Sequence, residues 1–136
     1  ILISPPGATG LKLTRAIVCW KDSREARRAV ADALPILKAS KRVDVVELVN
    51  EHEIEAARGR LADVGDWLHR HGVEATCLAT PARAAESAHL AAIARDLEAD
   101  LIVAGAFGHS RLREWAFGGV TRDLLVNAER CTLVSH

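Results

Sequence analysis

The stretch DLIVAGAFGHSRLREWAFGGVT, residues 100–121, combines a short apolar run with four glycines. Its apolar part, residues 101–104, is typical of a buried β-strand. Gly105 follows directly, and a glycine at that point lets the backbone turn with a positive φ and lets a ligand approach closely. Gly108 continues the loop, where successive backbone N–H groups can form an anion-binding concavity.

A second group of backbone N–H groups is expected where Gly118, Gly119 and Val120 open the last helix. The first N–H groups of a helix lack intrahelical partners, and the helix dipole is positive there, so both favour a phosphate. The two groups are therefore predicted to converge on one polyphosphate. The spacings GxxxxGK[ST] and GxGxxG are both missing, which excludes those two ways of binding phosphate.

Five strand-like runs alternate with segments of helical period along the rest of the chain. The strands are predicted at residues 16–20, 43–49, 73–79, 101–104 and 131–134, and the helices at 26–37, 54–68, 85–97 and 120–125. This alternation predicts an α/β fold, an open doubly wound parallel sheet with helices on both faces. Ligands of such sheets bind beyond the carboxyl ends of the strands, so the glycine-rich loop lies at the correct end.

Composition narrows the functional classes. Lys plus Arg and Asp plus Glu both number 18, so no strong field attracts nucleic acid or a membrane surface. The longest apolar runs fall well short of the roughly 20 residues that span a bilayer. Three scattered cysteines form no CxxC pair and are expected to be small buried hydrophobic residues. These features predict a soluble cytoplasmic protein.

The first fourteen residues differ from the rest. Leu2-Ile3-Ser4 is similar to Leu133-Val134-Ser135, and a Pro- and Gly-containing linker follows it. Residues 1–14 are therefore expected to be a remnant strand and linker from a preceding similar domain, or else an N-terminal arm. Residues 15–136 are expected to form the domain itself.

The spacing G-x2-G-x9-G, here Gly105, Gly108 and Gly118, resembles the nucleotide-binding signature of the universal stress protein family. The segment RAIVCWKDSREARRAVADALPIL, residues 15–37, is similar to that family's first strand and helix. Residues 100–121 are similar to its fourth strand and signature loop, particularly in tandem-domain bacterial members. The resemblance implies an adenine-nucleotide α-hydrolase-like fold, with five parallel strands in the order 3-2-1-4-5. It also implies ATP or AMP above strands 1 and 4, with Mg²⁺ only as a companion of ATP.

The resemblance carries over to twelve residues of this chain. They are Trp20, Lys21, Asp22, Leu48, Ala104, Gly105, Gly108, His109, Ser110, Gly118, Gly119 and Val120. The loop residues would line the phosphates, and the backbone of Leu48 would contact adenine. No catalytic or metal-binding residue can be named, so any ATP hydrolysis is expected to be slow at most, and enzymatic activity is not expected.

Two positions depart from the family pattern. Gly119 stands where the family usually has Ser or Thr, and Lys21 stands where it usually has the Asp that meets the base and ribose. A lysine cannot accept hydrogen bonds from ribose hydroxyls. Asp22 could shift into that role, or it could cap the first helix together with Glu25.

Two functions therefore follow from the sequence. The first is a stress-response binding or regulatory domain for an adenine nucleotide. The alternative is a dimerisation or protein-interaction module that has lost nucleotide binding. The resemblance implies a homodimer or a tandem-domain pair through the last strand, residues 131–134, which would otherwise be an exposed sheet edge.

Overall fold

The computed structural model describes residues 1–83, 86–105 and 129–135. Six strands and three α-helices lie in these ranges, with a short 3-10 turn at Glu51–Glu53. The strands are β1 Leu2–Ile3, β2 Arg15–Trp20, β3 Arg42–Val49, β4 Ala75–Pro81, β5 Leu101–Gly105 and β6 Cys131–Ser135; the helices are α1 Arg24–Ala39, α2 Ile54–Arg70 and α3 Glu86–Asp96. The predicted helix at 120–125 lies outside the described residues. None of the described helices is long and apolar enough to cross a membrane.

The sheet has the order β1-β6-β5-β2-β3-β4. Strands β2 to β6 are parallel and follow the expected 3-2-1-4-5 order. The expectation of a purely parallel five-stranded sheet was wrong in one respect, because β1 adds a sixth strand antiparallel to β6. The Ile1 nitrogen donates to the Val134 carbonyl at 2.7 Å, and the Val134 N–H donates to the Ile1 carbonyl at 2.8 Å. Residues 1–3 thus cover part of the edge that the last strand would otherwise expose.

The two faces of the sheet are covered by different helices. On one face, Ala16 and Val18 of β2 pack in a core that includes the buried residues of α1 and α2. On the other, Ile17 packs in a smaller core with Leu90 and Ala94 of α3. Because alternate residues of a strand point to opposite faces, burial on both sides requires the near-continuous apolar runs seen in the sequence.

Strand β4 begins at Ala75, two residues later than predicted. Val73 instead belongs to the end of α2, where its N–H donates to the Leu68 carbonyl at 2.9 Å and the Gly72 N–H donates to the His69 carbonyl at 2.9 Å. Gly72 has a φ of 81°, the left-handed conformation that this helix ending requires. Val73 is buried at the end of α2, so it is apolar because it packs beside a helix end and not because it lies in a strand.

The residue that caps α1 is Ser23, so the expectation that Asp22 does so was wrong. The Ser23 hydroxyl accepts the Ala26 N–H at 3.2 Å, and the helix begins at Arg24. Ser23 has extended backbone angles, as an N-cap residue should, whereas Asp22 precedes it and forms an ion pair with Arg27. The capping position lies one residue further along the chain than the Asp22–Glu25 spacing indicated.

Candidate functional site

The residues predicted to bind nucleotide from the first, second and fourth parallel strands meet at one edge of the sheet. In the strand register, Cys19 lies opposite Ala104 and Trp20 lies opposite Glu47. The strand ends that follow, with Lys21 after β2, Leu48 in β3 and Gly105 in β5, are therefore neighbours. Strands β3 and β4 lie on one side of β2, and β5 and β6 lie on the other, so the strand order reverses between β2 and β5. The carboxyl ends of β2 and β5 therefore form the topological switch point where such sheets bind ligands.

Side chains from the β2 end of this edge point in different directions. Lys21 is exposed and forms no ion pair with a described residue. Asp22 is bound to the guanidinium of Arg27, so its carboxylate is already engaged. Trp20, only 8% exposed, packs on the face that carries α1 and α2. Its indole therefore lies on the α1–α2 face of the sheet, a position that the sequence pattern did not reveal.

The β3 and β5 contributions are largely backbone. Leu48 is half-buried and packs against the core under α3, so its side chain is a core group. Ala104 is buried in the same core. Backbone contact to a ligand is compatible with both positions.

Gly105 is required by packing. It does not have the positive φ that its place after a strand suggested, and it forms the last residue of β5. A Cβ at this position would lie 2.6 Å from the backbone nitrogen of Ala26 and 2.7 Å from the carbonyl carbon of Glu25. The end of β5 thus approaches the first turn of α1 more closely than any side chain permits.

Six further predicted binding residues lie outside the described residues. They are Gly108, His109, Ser110, Gly118, Gly119 and Val120. Their proposed role in holding phosphates stays a prediction from the sequence.

An ion pair between a buried glutamate and a partly exposed arginine, which sequence inspection missed, lies beside the same edge. Glu47, 3% exposed, accepts a hydrogen bond of 2.8 Å from Nη2 of Arg60 on α2. That hydrogen bond raises the pKa of Arg60, and the negative charges of Glu47, Asp22 and Glu53 raise it further. The clue in the sequence was a glutamate inside the apolar run VDVVELV, but its partner stands 13 residues away.

Hydrogen bonding around this pair is incomplete. Oε2 of Glu47, Nε of Arg60 and Nε1 of Trp20 are buried and have no partner among the described residues. Buried polar atoms in folded proteins are nearly always paired, so three at one place mark an unusual site.

A cavity of about 370 Å³ opens between α1 and α2 at this point. We call it the α1–α2 cleft; Trp20, Asp22, Arg27, Arg60, Asp63 and Trp67 line it. Val30 and Val64 complete its walls. The described part of the chain contains no group of three His, Cys, Asp or Glu side chains that could hold a metal ion.

Comparison with known proteins relates this geometry to one architecture. No protein-family model and no curated protein sequence matches the chain. Among solved structures, the universal stress protein UspA from Lactobacillus plantarum matches with a TM-score of 0.79 and 16% identity, over 93% of this chain and 100% of that one. The chain has the universal stress protein fold.

Two other solved structures with this fold contain nucleotides. The universal stress protein from Archaeoglobus fulgidus in complex with dAMP matches with a TM-score of 0.71 and 18% identity, over 93% of this chain and 100% of that one. A universal stress protein in complex with cAMP matches with a TM-score of 0.70 and 22% identity, over 91% of this chain and 97% of that one. The universal stress protein fold therefore includes proteins that bind adenine nucleotides.

Proposed function

We propose that this chain is a universal stress protein domain that binds an adenine nucleotide, ATP or AMP, and acts as a stress-response binding or regulatory protein. The observation that carries the proposal is the meeting of the β2 and β5 carboxyl ends at the switch point of the sheet. The G-x2-G-x9-G glycines begin at this edge with Gly105. Structures of the same fold in complex with dAMP and cAMP support adenine as the base.

In this proposal, backbone groups do most of the binding. Leu48 supplies backbone contacts to adenine, while Gly108, His109, Ser110, Gly118, Gly119 and Val120 supply the phosphate cradle. Lys21, exposed at the end of β2, contacts a phosphate, because an ammonium group donates but cannot accept hydrogen bonds. Mg²⁺ accompanies ATP only.

Two observations favour a second candidate, an interaction module that no longer binds nucleotide. The Asp22 carboxylate already pairs with Arg27, so a ribose hydroxyl would have to compete with that ion pair to use Asp22 in place of the missing Asp at position 21. The glycine at 105 is explained by its close approach to α1, without any ligand. The signature could therefore persist in part for structural reasons.

Calorimetric titration with ATP, AMP and cAMP, each with and without Mg²⁺, separates the two candidates. The nucleotide-binding proposal expects at least one dissociation constant below about 1 mM, equivalent to about 4 kcal/mol of binding free energy. Weaker binding of all three nucleotides would support the interaction module.

Two test substitutions and one control substitution refine the titration. Lys21→Asp removes the proposed phosphate contact and puts a carboxylate in its place, so it should weaken AMP binding about tenfold. Lys41→Asp carries the same change of charge just before β3, at the opposite end of the sheet, and should leave affinity unchanged. Gly118→Val should abolish binding while the unfolding midpoint still reports a folded protein.

Pairing through β6 is part of the same proposal, either as a homodimer or as a tandem-domain pair. Residues 1–3 already occupy this edge as an antiparallel strand, in the way that a similar strand of a second domain could. Light scattering across a concentration series tests the homodimer. Ile3→Pro, which disrupts β1, should strengthen self-association if β6 is the pairing edge. Monomers for both forms would count against homodimerisation and leave the tandem pair.

A further inference from the structure

The α1–α2 cleft is distinct from the backbone edge proposed for nucleotide. Its lining comes from the two helices, from Trp20, whose side chain packs on the face of the sheet that carries α1 and α2, and from Asp22 in the loop before α1. Neither Leu48, Ala104 nor Gly105 contributes to the lining. A volume of about 370 Å³ lies within the range of small-molecule sites.

The charges of the cleft leave one carboxylate over. Arg27 is bound by Asp22, and Arg60 is bound by Glu47. Asp63 lines the cleft, and no ion pair or hydrogen bond joins it to a described residue. Glu47 lies outside the lining, but because it holds Arg60, the described residues place three carboxylates against two guanidinium groups.

Buried atoms next to the cleft do not reverse this balance. Oε2 of Glu47 is an acceptor with no partner among the described residues, and the charge of this carboxylate is already counted against Arg60. Trp20 contributes an unpartnered donor, but the indole is neutral. The unpartnered Nε of Arg60 belongs to a guanidinium whose charge Glu47 already compensates. Among the described residues that line the cleft, neither guanidinium is left unpaired for an anionic ligand.

The apolar walls suit a flat or apolar cationic body. Trp faces attract cations more strongly than other aromatic rings, and partial desolvation increases the effect. Trp67 is also held in position, because its ring stacks on His71 with centroids 4.1 Å apart and its carbonyl lies 2.8 Å from Nδ1 of His71. Val30 and Val64 add apolar surface beside the indoles.

We propose that the α1–α2 cleft is a second ligand site, specific for a small organic cation with a flat or apolar body. The cation lies between Trp20 and Trp67 and forms an ion pair with Asp63. This site does not depend on nucleotide binding. Its position across α1 from the β5 end would let the two sites be occupied together.

Three probes of nearly the same shape test the charge preference. Benzamidinium, benzamide and benzoate carry positive, zero and negative charge on the same ring. Each is titrated into the ¹⁵N-labelled chain, and the indole N–H resonances are followed after assignment with Trp20→Phe, Trp67→Phe and Trp115→Phe. Benzamidinium should shift the Trp20 and Trp67 resonances in a saturable way, benzamide should bind at least fivefold more weakly, and benzoate should not bind.

Asp63→Asn should weaken benzamidinium binding about fivefold or more. Asp66→Asn is the matched control, since Asp66 is exposed on the same helix but does not line the cleft, and it should bind like the parent. Equal affinity of the Asp63→Asn protein, preferential binding of benzoate, or no saturable shift with any probe up to about 10 mM would each overturn the proposal. Addition of AMP should leave the benzamidinium shifts in place, so failure of nucleotide binding would not affect this test.

Discussion

Asp44 and Glu47 are buried carboxylates of the same strand, and they differ in how completely they are satisfied. Asp44, 7% exposed, lies near the amino end of β3 and accepts hydrogen bonds on both oxygens from Arg15, at 2.6 Å and 3.1 Å. Glu47, 3% exposed, lies near the carboxyl end and uses one oxygen only. A two-bond pair fixes geometry, whereas a half-satisfied pair beside a cavity leaves bonding capacity for a ligand.

The same difference separates the two ends of the sheet. At the amino end, Asp100 accepts the backbone N–H groups of Thr14 and Arg15 at 2.8 Å and 3.0 Å, which closes the start of β2. At the carboxyl end lie an exposed Lys21 and two residues that line the α1–α2 cleft, Trp20 and Asp22. We infer that the amino end serves stability and that the carboxyl end serves binding.

The largest effect is expected at Asp44. Asp44→Ala should lower the free energy of unfolding by about 3 kcal/mol, because it leaves the Arg15 guanidinium largely buried without its partner. Urea unfolding measures the change, with the exposed Asp66→Ala as control. A loss below about 1 kcal/mol would contradict the inference that the amino end of the sheet serves stability.

A smaller loss is expected at Gly105. Gly105→Ala should cost about 2 kcal/mol, since the new methyl group meets the fixed backbone of Ala26 and Glu25. Gly59→Ala, in α2 with open space around its Cβ position, should be neutral or stabilising. If both substitutions behave alike, the glycine at 105 is not explained by helix packing and its role must lie in ligand contact.

Burial of Cys19 near the carboxyl end of the sheet should make the free energy of unfolding fall at alkaline pH. Burial raises the pKa of the Cys19 thiol from 9.0 to about 12. A folded-state pKa above the unfolded value means that stability is complete below pH 9 and falls as pH rises towards 12. At pH 10 the loss should be about 1.4 kcal/mol, and Cys19→Ala should not show it. Identical pH profiles of the two proteins in urea unfolding would contradict a buried thiol.

The smallest effect is expected at Glu47. Glu47→Gln should cost about 1 kcal/mol or less, because Arg60 is partly exposed and can turn to water. Asp44→Asn, the matched change in the fully bonded pair, should cost clearly more. Equal losses in urea unfolding would show that the two pairs are energetically alike and that the contrast between the ends is only geometric.

Local sequence predicted most secondary structure correctly, since a buried strand needs an apolar run and an amphipathic helix needs its period. The five strands of the parallel sheet and the helices α1, α2 and α3 all coincide with predicted segments. The predicted boundaries were wrong where the same sequence signal fits two local structures. Val73 is apolar because it packs under a helix cap, and Ser23 competes with Asp22 for the same capping position.

The sequence by itself determined the alternation of strands and helices, and through its glycine spacing the resemblance that gave the strand order and the candidate edge. Only the tertiary structure decided that β1 covers the edge of β6, that Gly105 is fixed by α1, and that Trp20, Glu47 and Arg60 meet beside a cleft. The physical reason is that hydrophobic periodicity is a local property of the chain. Strand register and the placement of helices on the sheet decide which distant side chains share a buried space.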